Sequence, residues 1–311
     1  MRTAVFGTGG VGGYFGGRLA QAGEEVIFIA RGEHLKALRA RGLRVDSLKG
    51  DFLVHPTQVT DDPAPVGAVD AVLVGVKAWQ VAEAAQAIRP LVGPDTFVVP
   101  LQNGVEAPSQ LAAILGAEHM LGGLCSIISF VAGPGHIRHV GAEPYIAFGE
   151  LNNRPSARAE RLRQAFARAG VHVEIPPDIQ VTMWEKFLFI ASWGGVGAVT
   201  RAPVGVVRGL PETREMMEEA MREILHVGKA REVGLSDESM RKGIAFVDGL
   251  QPGATASMQR DIMEGRPSEL EAQNGAVVRL GQEAGVPTPV HAFIYYSLLP
   301  SELRARGTLQ F

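Results

Sequence analysis

The amino-acid sequence predicts an α/β protein: a doubly wound, mostly parallel sheet over residues 1–177 and a mainly helical domain over residues 178–311. Three observations carry this. Short β-branched runs alternate with helical stretches in the first half, which is the pattern of βαβ units. Pro176-Pro177 then forms a stiff break, because consecutive prolines continue neither a helix nor an interior strand. Beyond that break the apolar spacing is helical throughout.

Taken in order, Thr3 to Phe6 is a strand, Gly10 to Ala22 a helix ended by Gly23, and Glu25 to Ala30 a second strand. Val69 to Val76 reads as a buried strand, Ala78 to Ile88 as a helix and Thr96 to Pro100 as a strand. The runs Leu124 to Ala132 and Pro144 to Phe148, with a turn at Gly133-Pro-Gly135, are expected to complete the same sheet. A helix at 157–169 and a strand at 171–175 close the first domain. The second domain is expected to consist of helices from Gln180 past Ile190, over Pro211 to Val233, Ser236 to Leu250, Ser268 to Ala284 and Pro289 to Leu299.

Composition narrows the function. The chain has 311 residues, 46% of them apolar and 20% charged, enough for two well-cored domains. A net charge of −3 leaves no basic excess for a nucleic-acid backbone. The single cysteine, Cys125, lies in an apolar run and cannot form an internal disulfide, so a buried side chain and a reducing, cytoplasmic compartment are expected. The first strand begins at once, leaving no space for a signal peptide, and no apolar run reaches the roughly 18 residues of a membrane span. The histidines are scattered, without metal-site spacing, so no metal is expected.

The segment Gly7-Thr-Gly9-Gly-Val-Gly12 lies between a strand and a helix. There glycines permit a tight turn and let the backbone approach a pyrophosphate at the helix N-terminus, so a Rossmann-type dinucleotide site is expected with Gly7, Gly9 and Gly12 in contact with the cofactor. A site for NAD ends its second strand with Asp or Glu, which accepts from the ribose hydroxyls. This strand ends Ile29-Ala30-Arg31, so Arg31 is expected to bind a 2′-phosphate through charge-assisted hydrogen bonds and to select NADPH.

The glycine loop, Val76-Lys77-Ala-Trp-Gln80, Leu101-Gln-Asn-Gly104, Trp184-Glu-Lys186, and Ser257-Met-Gln-Arg-Asp261 followed by Glu269 stand in an order that resembles the ketopantoate reductase (2-dehydropantoate 2-reductase) family, over nearly the whole chain. The resemblance implies NADPH-dependent reduction of a 2-oxo acid to a 2-hydroxy acid, as in the reduction of 2-dehydropantoate to pantoate for pantothenate biosynthesis. It implies that Lys186 is the catalytic general acid, its pKa lowered by burial in an interdomain cleft. By the same resemblance Asn103 lies near nicotinamide and substrate, Ser257 binds substrate, Glu269 binds substrate and supports catalysis, and Lys77 and Gln80 touch the cofactor. A homodimer is compatible with the family; nothing in the residues requires one.

The chain departs from the family pattern one and two turns beyond Lys186, where relatives carry asparagines and this chain has Ile190 and Gly194. Positions four and eight after Lys186 share its helix face, as do Phe189 and Trp193. Two expectations follow: an altered pocket that takes a different, more apolar carbonyl substrate, or a pocket completed by polar groups from elsewhere. A non-catalytic NADPH-binding protein is the alternative of another class, against which the retained Lys186 argues.

Overall fold

The computed structural model of the protein describes residues 1–55 and 57–311. The chain divides into two compact units, one of residues 1–102 and 107–179, the other of residues 103–106 and 180–311.

The first unit contains, in chain order, β1 (Arg2–Phe6), α1 (Gly10–Gln21), β2 (Glu25–Ile29), α2 (Gly32–Arg41), β3 (Leu43–Ser47), β4 (Phe52–Val54), β5 (Gln58–Thr60), β6 (Ala71–Val74), α3 (Val81–Ile88), β7 (Phe97–Pro100), α4 (Ala107–Leu115), β8 (Leu121–Gly133), β9 (His136–Glu150), α5 (Ala157–Arg168) and β10 (His172–Glu174). Five strands form a parallel sheet in the order β5-β2-β1-β6-β7. Its strands β1, β2, β6 and β7 read as mostly apolar runs because both faces are covered, while β5 at the edge is partly exposed. On β1, Val5 packs into the core on one face while Ala4 and Phe6 pack into the core on the other.

The chain runs from β1 to β2 on one side and returns to β6 on the other side of β1. The carboxyl ends of β1 and β6 are therefore a topological switch point, the place where open α/β sheets bind ligands. The pairing is level there: Phe6 lies opposite both Ile29 and Val74.

One expectation is corrected. The segments Leu124 to Ala132 and Pro144 to Phe148 lie in β8 and β9, which do not complete the parallel sheet. They pair antiparallel with each other, and β9 belongs to a second sheet of order β10-β9-β3-β4. Glycine-containing residues 133–135 turn the chain straight back, so β8 finds its partner in the next strand and needs no crossover. Cys125 is buried in β8, with its Sγ 3.7 Å from the carbonyl of Leu101.

The second unit is helical: α6 (Ile179–Thr200), α7 (Val204–Gly209), α8 (Pro211–Ala230), α9 (Asp237–Gly249), α10 (Ser257–Met263), a π-helical turn Glu271–Gly275, α11 (Ala276–Ala284) and α12 (Pro289–Ala305). Its core gathers Phe187, Leu188 and Val196 of α6 with Met217, Met221 and Ile224 of α8 and Ile294 of α12. Among the described residues no helix is long and apolar enough to cross a membrane.

Candidate active site

In the first unit the glycine loop leaves the carboxyl end of β1 and enters α1. Gly7 has a φ of +96°, which L side chains rarely adopt, and a Cβ there would lie 2.7 Å from the Val76 nitrogen. A Cβ on Gly12 would lie 2.2 Å from the carbonyl oxygen of Gly7, so α1 packs against the loop only because this position is bare. The loop is further tied to β2 by the Thr8 hydroxyl, which donates to the Ile29 carbonyl at 3.0 Å.

Gly9 differs from both. It is the N-cap of α1, makes no side-chain cap, and a Cβ built on it meets nothing within 4 Å. Open space thus stands before the first turn of α1, whose amide groups lack helical partners and whose dipole favours an anion. The first turn of α1 carries no acidic residue to oppose one. The loop therefore fits a dinucleotide pyrophosphate, with Gly7 and Gly12 forming the turn and Gly9 leaving the approach clear.

Around the loop, Arg31 is the exposed N-cap of α2, and its Nη2 donates to Glu83 Oε1 on α3 at 3.0 Å. Both side chains are more than three-fifths exposed, so the pair adds little stability and a phosphate can displace the carboxylate. Glu83 carries no signal in the sequence, because nothing in its helix announces which strand end it faces. Lys77 and Gln80 share one turn: the Lys77 amide donates to Gln80 Oε1 at 3.3 Å, and Lys77 Nζ lies 5.7 Å from the centre of the Trp79 ring. Gln102, buried, donates to the carbonyls of Val74 and Val76 and so braces the end of β6.

In the second unit Asn103 and Glu269, 166 residues apart, come together: Asn103 Nδ2 donates to Glu269 Oε2 at 3.3 Å. Gly104, with φ of +104°, lets the chain pass this point, since a Cβ there would sit 2.9 Å from the Ala272 carbonyl oxygen. Glu269 is 6% exposed and follows Ser268, which is anchored to α12. The Ser268 amide and hydroxyl donate to the Glu302 carboxylate, and Arg306 clamps the same pair by donating to Glu302 Oε1 at 2.6 Å and to the Ser268 carbonyl at 2.9 Å.

Lys186 is half-buried on α6, and Ser257 begins α10. The two elements meet at Gly194: a Cβ there would lie 3.2 Å from Ala256 Cβ and 3.6 Å from Met258 Cε, the residues on either side of Ser257. The half-buried Ile190 packs on the apolar core of the unit. Trp193 is buried with its indole nitrogen lacking a hydrogen-bond partner among the described residues. Buried polar groups beneath this face went unmarked in the sequence. His291 accepts from Asn274 Nδ2 and donates through Nε2 to the Ala220 carbonyl, and complete burial pushes its pKa down to about 4. Such a histidine is a neutral structural group.

Residues 3–153 match the family model for ketopantoate reductase PanE/ApbA, and residues 178–300 match the model for the C-terminal part of that family. A 2-dehydropantoate 2-reductase of Nostoc sp. is 30% identical over 299 residues, spanning 95% of this chain and 93% of its own. The crystal structure of a PanE/ApbA family ketopantoate reductase from Ralstonia eutropha is 31% identical, with a TM-score of 0.89 over 98% of this chain and 100% of its own. A ternary structure of D-mandelate dehydrogenase with NADH and anilino(oxo)acetate shares the fold, with a TM-score of 0.89 at 22% identity over 98% of this chain and 99% of its own. Matched in both its parts and along almost all its length, the chain belongs to the ketopantoate reductase family and is an NADP-dependent oxidoreductase acting on CH–OH groups.

Proposed function

We propose that the chain reduces ketopantoate to pantoate with NADPH, the step that serves pantothenate biosynthesis, and that Lys186 is its general acid. The observation that carries this reading is the Asn103–Glu269 contact, which joins two motif residues from distant parts of the chain. Such a juxtaposition serves positioning of a substrate more directly than it serves folding, because an amide and a nearly buried carboxylate are costly to bury without a purpose. The names of the relatives, 2-dehydropantoate 2-reductase among them, point the same way.

When bound, NADPH supplies the hydride, which goes to the carbonyl carbon of the acid while the carbonyl oxygen takes a proton. Gly7, Gly9 and Gly12 give the pyrophosphate its place at α1, and Arg31 engages the 2′-phosphate in exchange for Glu83. Lys77 and Gln80 line the cofactor beyond it. The Lys186 ammonium donates the proton to the oxygen and is left as an amine until solvent reprotonates it. Asn103 orients the acid beside the nicotinamide, the Ser257 hydroxyl binds the acid, and Glu269, held by Asn103, fixes its orientation.

The test is NADPH oxidation with ketopantoate and with a panel of apolar 2-oxo acids. Wild type prefers ketopantoate, and Lys186→Ala lowers kcat by about 100- to 10,000-fold. A preference for an apolar acid moves the substrate to the altered-pocket alternative that Ile190 and Gly194 raise. Full activity of Lys186→Ala contradicts the general-acid role, and no turnover of any acid contradicts the reading as a whole.

A further inference from the structure

Three glycines of α6 each face a buried carboxamide. A Cβ on Gly194 would lie 3.8 Å from Gln273 Oε1, one on Gly195 2.5 Å from Asn274 Nδ2, and one on Gly197 2.7 Å from Gln259 Oε1. All three amide residues are fully buried. A buried carboxamide is costly unless its donors and acceptor are satisfied, so each should find partners.

Two of them do. Gln259 donates to the Ala202 carbonyl at 2.9 Å and accepts from the Ala256 amide at 3.3 Å. Asn274 donates to the Ala191 carbonyl at 3.2 Å and pairs with His291 at 2.9 Å, leaving only its oxygen without a partner. Gln273 has none: neither Nε2 nor Oε1 makes a hydrogen bond to any described residue.

The position of this unsatisfied amide is specific. Gln273 lies one turn after Glu269, whose carbonyl accepts from the Gln273 amide nitrogen at 2.9 Å. It sits in the π-helical turn Glu271–Gly275, a distortion that redirects side chains and often marks functional sites. Its Oε1 neighbours Gly194, two turns from Lys186 on the same face of α6, and Gly194 also abuts the residues flanking Ser257. The one wholly unpartnered carboxamide of this trio thus lies one turn after Glu269 and beside Gly194, the point where α6 meets the residues flanking Ser257.

We propose that Gln273 is a specificity-determining residue, which hydrogen-bonds a hydroxyl on the substrate and makes the enzyme prefer hydroxylated 2-oxo acids over their plain analogues. A carboxamide offers both a donor and an acceptor, which matches a hydroxyl's acceptor and donor. The amide is sealed from solvent, so it meets the hydroxyl by turning its own side chain. That rotation breaks no hydrogen bond to a described residue, and Gly194 leaves bare the space beside Oε1 that a side chain would fill. The inference rests on the reductase reading and supplies the polar group that Ile190 and Gly194 do not.

The test compares kcat/KM for ketopantoate and for trimethylpyruvate, its deoxy analogue, in wild type and Gln273→Met, with melting temperatures of both proteins. Wild type should favour ketopantoate by roughly 100-fold or more, and Gln273→Met should bring that ratio below about fivefold, with the loss falling mainly on ketopantoate. The variant should melt no lower than wild type, because methionine removes an unpartnered amide and keeps most of its volume. An active wild type whose ratio is unmoved in the variant overturns the inference and leaves the reductase reading standing. So does a ratio that holds while the melting temperature drops by more than about 5 °C, which marks a structural amide. A wild type that turns over neither acid overturns the reductase reading and this inference with it.

Discussion

The glycine loop of the first unit and the motif cluster of the second are built on opposite plans. The loop is contiguous: Gly7, Gly9 and Gly12 sit within six residues of chain, and their placement follows from a strand before them and a helix after them. The cluster is assembled from distant segments, with Asn103 and Glu269 meeting across 166 residues and Gln273 reaching Gly194 from another element. A contiguous site can be tested one residue at a time, whereas a dispersed one shows itself in coupling between residues.

The largest expected effects break the loop. Gly12→Ala forces a Cβ against the Gly7 carbonyl and should cost about 3 kcal/mol or more of stability, with loss of NADPH binding. Gly9→Ala should leave the melting temperature within about 2 °C of wild type, because its Cβ meets no protein atom, yet weaken NADPH at least tenfold by filling the pyrophosphate's approach. Thermal melts beside cofactor titrations separate the two; equal destabilisation by both substitutions would mean that the open space at Gly9 is not a ligand space.

A smaller effect sharpens the cofactor choice. Arg31→Ala should weaken NADPH by about 10- to 100-fold and NADH by less than about threefold, measured as Kd or KM for each cofactor. Equal losses for both cofactors would remove Arg31 from 2′-phosphate recognition. Salt should reduce the NADPH preference in wild type, because the guanidinium is exposed and its interactions are screened.

Legibility in the sequence divides along the same line. The parallel strands β1, β2, β6 and β7 could be read because burial on both faces makes them continuous apolar runs. The strands β3, β4 and β5 could not, since each is partly exposed, with polar residues such as Arg44, Asp46 and Gln58 interrupting the pattern in β3 and β5. The runs in β8 and β9 were visible, but apolar runs do not say which sheet they join; the tight turn between them decides that. In the second unit, helical periodicity marks α6 and α8, and the motif resemblance singles out Lys186, Ser257, Glu269 and Asn103 as candidates. Gln273 was illegible because a polar residue in a helical stretch reads as solvent-facing, and the π-helical turn shifts its register into the interior.

Asn103 and Glu269 are proposed to act as one unit on the substrate. A double-mutant cycle with Asn103→Ala, Glu269→Ala and the combined variant, read in kcat/KM for ketopantoate, tests it directly. The combined loss should fall short of the product of the single losses by about fivefold or more, because the second substitution removes a contact already broken. Losses that multiply independently would contradict it.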